Sequence, residues 1–490
     1  MNPTSREPSK QPALTEPRSV RRVAGNVISI LTSDVLNRAT TFVLYALVAR
    51  HLSAFAFGQM SLAFTLFYTF QMIAVAGMKT LITREVARDR RQTGQYLVNG
   101  SIIVAVFSLL AMLLLLGFVR LMHYAADTAA IILLLSLGLL PYALSALYEA
   151  VFQAWERMHY IAYANVPVNL AKVCLAWLLL SQGYGLYHLV ILLLACQVAV
   201  VGIERWLLGR RIAVPRAPIE FRFALTIIRA TGPFFGIDVL IATWAALNVV
   251  LLSKLAGETA VGLYSAANQL MIPAMLVYQS IVLSLFPIMC RRFDMGLHRM
   301  RHVAQYVIEL LLAIAMPTTV GLFFLADSAL VRLYGKQDFL LASGALRIMV
   351  WSLLLVALTH ALGQVLLASL REKTSLRIIA IDVLVNLTVG LILISQFGLL
   401  GAAITALLTR VIDFLLHYVL VSRLLPIALG KLAWKPAVAS VCIGALLVVF
   451  RGQGVLLTVV SAGAVYAGVL LALALWSTGS VRQLKAKYLL

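Results

Sequence analysis

Two charged residues, Asp34 and Arg38, lie one helical turn apart in an otherwise apolar stretch of the chain. The stretch SDVLNRATTFVLYALVARHL (33–52) has the length and composition of a membrane-spanning helix. On a helix with 3.6 residues per turn, both charges share a face with Thr41 and Tyr45. Because a charge that faces lipid is costly, we expect these two side chains either to line a polar cavity or to neutralise each other as a pair.

Four cations are predicted to lie deep within apolar segments, namely Arg38, Lys172, Arg347 and Arg410. A cavity lined by such groups suits an anion, and the guanidinium fork fits a phosphate best. Arg410 is followed three residues later by Asp413, so this cation could instead belong to a pair that settles helix packing. The sequence therefore favours an anion-binding cavity and leaves the packing alternative open for each acid–base pair.

The elements that carry these residues are predicted to be transmembrane helices. Of the 490 residues, 62% are hydrophobic and 12% are charged, and the mean hydropathy is +0.95, as in integral membrane proteins. Continuous apolar runs such as 101–119 exclude the alternating strands of an outer-membrane barrel. Splitting the chain at its polar interruptions gives about fourteen spans by the twenty-residue criterion.

Several other classes of site are disfavoured by the sequence. The four cysteines fall in apolar runs at unrelated spacings, so neither a disulfide framework nor a metal site is indicated. The chain has no glycine-rich nucleotide-binding loop, so ATP hydrolysis is not expected. The polar first 22 residues, rich in Pro and Ser, are predicted to be disordered rather than a signal peptide.

Lys and Arg residues predict the orientation of the chain. They concentrate in alternate loops, around 84–91, 205–222, 291–301 and 371–377. By the positive-inside rule, these loops and both termini are cytoplasmic. The net charge of +21 then reflects topology, helped by attraction to anionic membrane lipids, and no nucleic-acid partner is expected.

The two halves of the chain resemble each other at a shift of 204 residues. The matched positions include Asp34 with Asp238, Arg50 with Lys254, and Gly58 with Gly262. An even number of spans separates the two copies, so both halves have the same orientation and form a parallel repeat. Two lobes with the same orientation and a substrate cavity between them are typical of an alternating-access transporter.

The predicted fold is that of an all-α integral membrane protein with about 14 transmembrane helices. Two parallel-repeat lobes of six helices are followed by two appended C-terminal helices. The segments are a disordered cytoplasmic N-terminus (1–22), an N-lobe (23–210), a cytoplasmic inter-lobe loop (211–228), a C-lobe (229–424), the two appended helices (425–478) and a cytoplasmic tail (479–490).

Four short motifs are spread along the chain: TREVARD (83–89), RATGPFF (229–235), VGLYSAANQL (261–270) and LSLFP (283–287). Together with the first-span pattern of Arg38, Arg50 and Gly58, they resemble the Wzx-type polysaccharide-biosynthesis flippases. That family shares the MOP superfamily with the MATE multidrug exporters and the lipid II flippases. The resemblance covers nearly the whole chain, and it implies a MATE-like fold.

The resemblance also implies a function. Flippases of this family move undecaprenyl-diphosphate-linked oligosaccharide repeat units from the inner to the outer leaflet of the bacterial inner membrane, by alternating access. The product would be exopolysaccharide, O-antigen or capsule. Membrane lipids, and polymerase and chain-length proteins of the same pathway, are the partners implied. The two appended helices are expected to form part of a groove for the lipid tail.

Site residues follow from the same resemblance. The family's first-helix arginine corresponds to Arg38, and its second-lobe amide or acid corresponds to Asn248, where many relatives carry Asp. The cations would bind the diphosphate, while Asn165, Asn169 and Gln269 would bind sugar hydroxyls. The aromatic run FTLFYTF at 64–70 is interpreted as helix core or membrane belt rather than as a sugar-stacking surface.

No cofactor is expected, although a proton or sodium gradient could drive transport. Asp34, Asp238 and Asp413 are the candidate carboxylates for such coupling.

Two other functions remain as alternatives. A MATE-type multidrug or cation antiporter would use the same lobes, but the surplus of predicted buried cations is unsuited to cationic substrates. A membrane polysaccharide polymerase or ligase would act on the same lipid-linked substrate. Such enzymes generally have a large outer loop, and the longest outer loop predicted here, around Asp327 to Leu341, is short. We therefore predict a transporter and not an enzyme.

Overall fold

Helices make up nearly all of the chain that the computed structural model describes, residues 35–212, 215, 217–450 and 455–478. No strand occurs within those ranges. A helix satisfies its backbone N–H and C=O groups within its own segment, as lipid requires of a spanning element because it offers no hydrogen bonds. The predicted all-α fold is confirmed. The predicted disordered N-terminus and cytoplasmic tail lie outside the described residues.

The first half of the described chain, residues 35–211, consists of helices α1–α8, and we call it the N-lobe. The bounds are 35–51 (α1), Ala54–Val75 (α2), Met78–Arg88 (α3), Thr93–Leu121 (α4), Ala126–Ser136 (α5), Leu139–Ala154 (α6), His159–Ser181 (α7) and Leu186–Arg211 (α8).

The second half, residues 221–422, consists of helices α9–α15, and we call it the C-lobe. The bounds are Phe221–Leu255 (α9), Gly257–Asp294 (α10), Leu297–Phe324 (α11), Ala326–Tyr334 (α12), Ser343–Met349 (α13), Trp351–Ala368 (α14) and Glu372–Ser422 (α15). Two helices follow, Leu429–Val449 (α16) and Val455–Thr478 (α17). α16 packs on α11 and on α17, which attaches the appended pair to the C-lobe.

Twelve helical segments in the described part of the chain are long and apolar enough to cross a membrane. α1 is not among them, because only residues 35–51 of its predicted span are described. α15 is counted once but contains two spans. With these two additions, the helices match the roughly fourteen spans that the sequence predicts.

α15 folds back on itself at Gly398, which has a left-handed φ of 53°. An ideal Cβ on Gly390 would lie 3.5 Å from the Thr405 methyl carbon, whereas residues this far apart on a straight helix would be separated by about 22 Å. The two arms are therefore antiparallel spans joined by a single non-helical residue. They account for two of the roughly fourteen spans that the sequence predicts.

The helix ends define two faces of the protein. One carries the arginine-rich segments, and we call it the basic face; the other is the opposite face. The basic face holds 84–91, 205–212, 291–301 and 371–377, and the opposite face holds 50–53, 122–125, 254–258 and 332–342.

The two lobes make a close backbone contact where α2 packs against α10. A Cβ added to Gly58 would collide with the Glu258 carbonyl oxygen, and one added to Gly262 would collide with the Ala54 carbonyl oxygen. Only residues without side chains let two helices approach so closely. Because Gly58 and Gly262 are equivalent positions of the predicted repeat, the crossing lies on the axis that relates the two lobes.

The crossing predicts the effect of one added methyl group. We expect Gly58→Ala to lower the free energy of unfolding by about 1–3 kcal/mol, because the methyl group has no room against the Glu258 carbonyl. Thermal melting of the purified protein in detergent measures the change. Gly117→Ala in α4 is the matched control, since a Cβ there has open space around it. Equal melting temperatures for the two variants would contradict the close contact.

Candidate functional site

A cavity of about 470 Å³ lies within the N-lobe. Its walls come from α1, α2, α3, α5, α6, α7 and α8, and no described residue of the C-lobe lines it. It reaches Gln153 in the last turn of α6, so it extends toward the basic face. The sequence predicts a cavity that lies between the lobes and is lined by both. The observed cavity differs, because its lining residues belong to the N-lobe.

One wall of this cavity is polar and largely self-paired. The Lys79 ammonium lies 2.5 Å from a carboxylate oxygen of Glu149, and the Asn165 amide donates to the other oxygen at 3.3 Å. Nearby, the Lys172 ammonium donates to the Asn169 side-chain oxygen at 2.7 Å. The predicted residues Asn165, Asn169 and Lys172 thus come together, and the cavity carries two ammonium groups with one carboxylate among these five residues.

A second wall is aromatic and comes from α2 and α6. The rings of Phe64 and Tyr68 are nearly parallel, at 15°, with centroids 5.9 Å apart. Phe67 contacts the edge of Tyr68 and also packs against Tyr142 of α6. All four side chains line the cavity. The interpretation of 64–70 as core or belt is confirmed for Phe67, which is buried in the core, and for Phe64, which packs against it; the exposed Tyr68 ring differs because it faces the cavity.

α1 contributes the edge of the cavity nearest its described start. Asn37 and Thr41 line the cavity, and the Thr41 hydroxyl donates to the Asn37 carbonyl oxygen at 2.7 Å. Arg38, between them in sequence, is exposed on the same helix. Asp34 lies outside the described residues, so its predicted pairing with Arg38 stays a prediction.

A separate polar cluster lies in the C-lobe. Arg410 stacks on the Trp244 ring at 4.5 Å and lies 3.5 Å from Asp413, which is also 2.9 Å from His417. The cluster does not border the N-lobe cavity. Of the two predicted roles of Arg410, this geometry matches the neutralising pair, and it removes Arg410 from the set of cations that face the cavity.

The other predicted residues are dispersed. Arg347 forms an ion pair with Asp327 at 2.7 Å, and both side chains are exposed near the opposite face. Asn248 of α9 donates to the Tyr264 hydroxyl at 3.4 Å. Gln269 is buried in α10, and Asp238 is half-buried in α9. None of these residues lines the N-lobe cavity.

Lys79 and Glu149 are the cavity residues that sequence reasoning missed. Glu149 lies in the apolar run PYALSALYEAVFQAW (141–155), where an ionisable residue already indicates a functional position. Lys79 lies five residues before Arg84, where the basic segment 84–91 begins, so it was hidden among topology signals. The sequence thus contained a signal for Glu149, namely a charge within an apolar run. That Lys79 is its partner could be found only from the packing of α3 on α6.

Cations join the two lobes at the opposite face, where the Lys336 ammonium donates to the Leu52 carbonyl oxygen at 2.7 Å and two repeat-equivalent residues cross between the lobes. Arg50, in the last turn of α1, donates to the carbonyl oxygens of Arg332 and Leu333 at 2.7 and 2.8 Å. Lys254, in the last turn of α9, donates to the Met122 carbonyl oxygen. These acceptors lie at the ends of α12 and α4, where carbonyl groups have no partner within the helix and the helix dipole attracts cations. We call this crossed arrangement of equivalent residues the outer clamp.

Side-chain hydrogen bonds support the outer clamp. The Tyr124 hydroxyl lies 3.0 Å from the Ser253 hydroxyl, and the Lys254 ammonium lies over the Tyr124 ring. Burial raises the pKa of Tyr124, so the phenol remains neutral. The Gln59 amide donates to Thr128, which donates to Glu258 of the other lobe. Contacts between the two lobes therefore close the protein at the opposite face.

A second cavity, of about 400 Å³, lies among α11, α16 and α17. Its lining is mostly apolar, with Leu310, Leu470 and Leu471 among the side chains. Glu309 and Lys435 lie at this cavity as well. The appended helices thus form a groove with α11, in the region where the family resemblance predicts one.

A bundle of apolar spanning helices with a polar cavity and a closed opposite face defines a multi-pass membrane transporter. The family to which it belongs is shown by its sequence. The chain is a member of the polysaccharide biosynthesis protein family, whose profile matches residues 23–293. The profile of the MatE family matches residues 233–392.

Known proteins resemble the chain along most of its length. A probable low-salt glycan biosynthesis flippase of Haloferax volcanii is 22% identical over 81% of this chain and 82% of its own. Among solved structures, a lipid II flippase in an inward closed conformation has a TM-score of 0.73 at 15% identity, over 91% of this chain and 97% of its own. An inward-facing multidrug resistance MATE transporter has a TM-score of 0.67 at 15% identity, over 79% and 95%. The predicted MATE-like fold is confirmed.

The outer clamp predicts how the cavity can be opened. Cys196 lines the cavity, so its labelling by an impermeant thiol reagent from the opposite face reports opening, once the other three cysteines are replaced by serine. We expect Arg50→Ala with Lys254→Ala to raise the labelling rate at least about tenfold, since charge-assisted hydrogen bonds contribute about 1.5–3 kcal/mol each.

Arg332→Ala is the matched control for this experiment. It changes an exposed side chain but keeps the carbonyl group that Arg50 contacts, so we expect labelling as in the parent protein. Unchanged labelling in the double variant would show that the clamp does not hold the opposite face closed.

Proposed function

We propose that the protein is a flippase that moves undecaprenyl-diphosphate-linked oligosaccharide units between the leaflets of the bacterial inner membrane for surface polysaccharide biosynthesis. The observation that carries the proposal is the N-lobe cavity, where cations, amides and aromatic rings surround one space. Such a lining matches a head group that joins a diphosphate to sugars. Membership of the polysaccharide biosynthesis protein family and the named activity of the Haloferax relative support it.

Lys172 and Lys79 are the groups we assign to the diphosphate. Lys172 is held by a neutral amide, Asn169, and can give this contact up to an anion at little cost. Lys79 is paired with Glu149, so the diphosphate must compete with a carboxylate for it. Arg38, near the start of α1, is assigned to the approaching head group from the family's motif. The amide of Asn165 would serve the sugar hydroxyls.

Alternating access supplies the transport step. With the basic face cytoplasmic, as the positive-inside rule predicts, the head group enters the N-lobe cavity from the cytoplasm. The outer clamp keeps the other side closed in this state. Rocking of the lobes about the contact of α2 with α10 would break the clamp and expose the cavity to the outside. The termini are cytoplasmic in this scheme.

The prenyl tail is assigned to the groove among α11, α16 and α17. Its apolar lining suits a hydrocarbon chain that stays at the depth of the lipid while the head group crosses. Membrane lipids compete for the same groove, and polymerase and chain-length proteins would receive the product. The chain acts in this scheme as a transporter that makes and breaks no covalent bond.

A proton or sodium gradient is the proposed energy source, with no cofactor. Of the candidate carboxylates, Asp413 is already neutralised by Arg410 and His417. Coupling through Asp413 therefore requires those pairs to rearrange. Asp238 of α9 and Asp34, which precedes the described part of α1, are the remaining candidates.

Deleting the gene tests the class of transport. We expect single lipid-linked repeat units to accumulate and to be protected from a glycosidase added outside the cytoplasmic membrane, as followed by mass spectrometry of membrane extracts. Complementation with the intact gene is the control. Units that accumulate but are open to the glycosidase would indicate a polymerase, and an unchanged lipid pool with altered drug susceptibility would indicate a MATE-type exporter.

Substitution of single cations tests the anion site. We expect Arg38→Ala to abolish complementation at normal protein levels and Arg38→Lys to retain part of it, while Lys172→Met lowers flipping at least about tenfold, as loss of a charged hydrogen bond would. Arg347→Ala is the matched control, because its ion pair with Asp327 lies away from the cavity. Full activity in Arg38→Ala, or a loss in Arg347→Ala as large as in Lys172→Met, would refute the assignment.

A further inference from the structure

The aromatic wall of the N-lobe cavity has a use that the cations do not explain. A diphosphate needs only donors, and a prenyl tail would avoid a cavity bordered by Lys79, Glu149 and Lys172. Tyr68 nevertheless presents its ring to this space, with 46% of its surface exposed. An exposed aromatic ring beside polar side chains is complementary to a ligand that has both apolar and hydroxyl surfaces.

The rings of Phe64 and Tyr68 stack on each other and together form an aromatic surface that borders the cavity. They lie one turn apart on α2, nearly parallel, with centroids 5.9 Å apart. Each is held by another ring: Tyr45 packs against Phe64 at 5.8 Å, and Phe67 meets Tyr68 edge-on at 5.8 Å. The surface is thus fixed before any ligand binds, which reduces the entropy lost on binding.

A sugar ring has the complementary shape. One face of a pyranose carries C–H groups, which are attracted to the negative face of an aromatic ring, while hydroxyl groups surround its rim. Asn165 and Asn169 in the polar wall of the same cavity supply donors and acceptors for that rim. A sugar bonded directly to the diphosphate must lie in the same cavity when Lys172 holds the phosphate.

We propose that Phe64 and Tyr68 form a stacking platform for the first sugar of the lipid-linked head group, and that Tyr68 is a specificity-determining residue. The inference rests on the proposed function. The platform selects sugars with an uninterrupted C–H face, of the glucose type, over sugars whose stacking face carries an axial hydroxyl group. The cations bind any diphosphate, whereas the platform discriminates between sugars.

Binding of two synthetic lipids to the purified full-length protein separates the platform from the anion site. The probes are undecaprenyl diphosphate and the same lipid carrying one glucose, titrated by intrinsic fluorescence in nanodiscs. We expect the native protein to bind the glucosylated lipid about fivefold more tightly, the contribution of one aromatic contact. Tyr68→Leu should lose this gain and bind undecaprenyl diphosphate unchanged, while Tyr68→Phe, which keeps the ring, should retain it.

Tyr163→Leu in α7 is the matched control, because Tyr163 is 63% exposed and does not line the cavity; it should bind both probes like the native protein. If Tyr68→Leu keeps the gain, or if the native protein shows none, the platform is overturned while the proposed function stands. If the native protein binds neither probe, the proposed function fails, and the platform fails with it. A melting temperature for each variant excludes misfolding as the cause of a loss.

Discussion

The backbone contact between Gly58 and Gly262 is the constraint on which the arrangement of the lobes depends. Because neither residue has a side chain, α2 and α10 approach until each meets a carbonyl group of the other helix. This approach brings Arg50 and Lys254 within hydrogen-bonding distance of the opposite lobe. The absence of side chains at these two glycines therefore allows the opposite face to close. The closure in turn decides from which face the N-lobe cavity can be reached.

The charges of the protein divide into those that are satisfied by packing and those that remain exchangeable. Arg410 has Asp413 beside it and Trp244 beneath it, so its partners are fixed within the C-lobe. Among the described residues, the hydrogen-bond partner of Lys172 is the neutral side-chain oxygen of Asn169. An anion can displace an amide more easily than a carboxylate, because a carboxylate attracts the cation with a full opposite charge whereas an amide oxygen offers only a dipole. This difference, rather than the number of buried cations, is the reason that we assign the anionic ligand to the N-lobe.

Sequence reasoning could predict the spans and the repeat but not the composition of the cavity. Apolar length identifies a spanning helix, and Gly58 aligned with Gly262 before their contact was known. Helical periodicity gives the face on which Arg410 lies, but not the helix that this face meets. Lys79 and Glu149, seventy residues apart in sequence, become partners only through the packing of α3 on α6. The site is therefore a property of helix neighbours, which a single sequence does not encode locally.

The hairpin at Gly398 has a consequence for the synthesis of the protein. Its two spans, the arms of α15, are joined by one residue, so no polar loop separates them. Either arm alone would leave its partner face and the turn exposed to lipid or water while the other arm was still being made. The two must enter the bilayer together as a helical pair, so the topology of both spans is decided in a single insertion event.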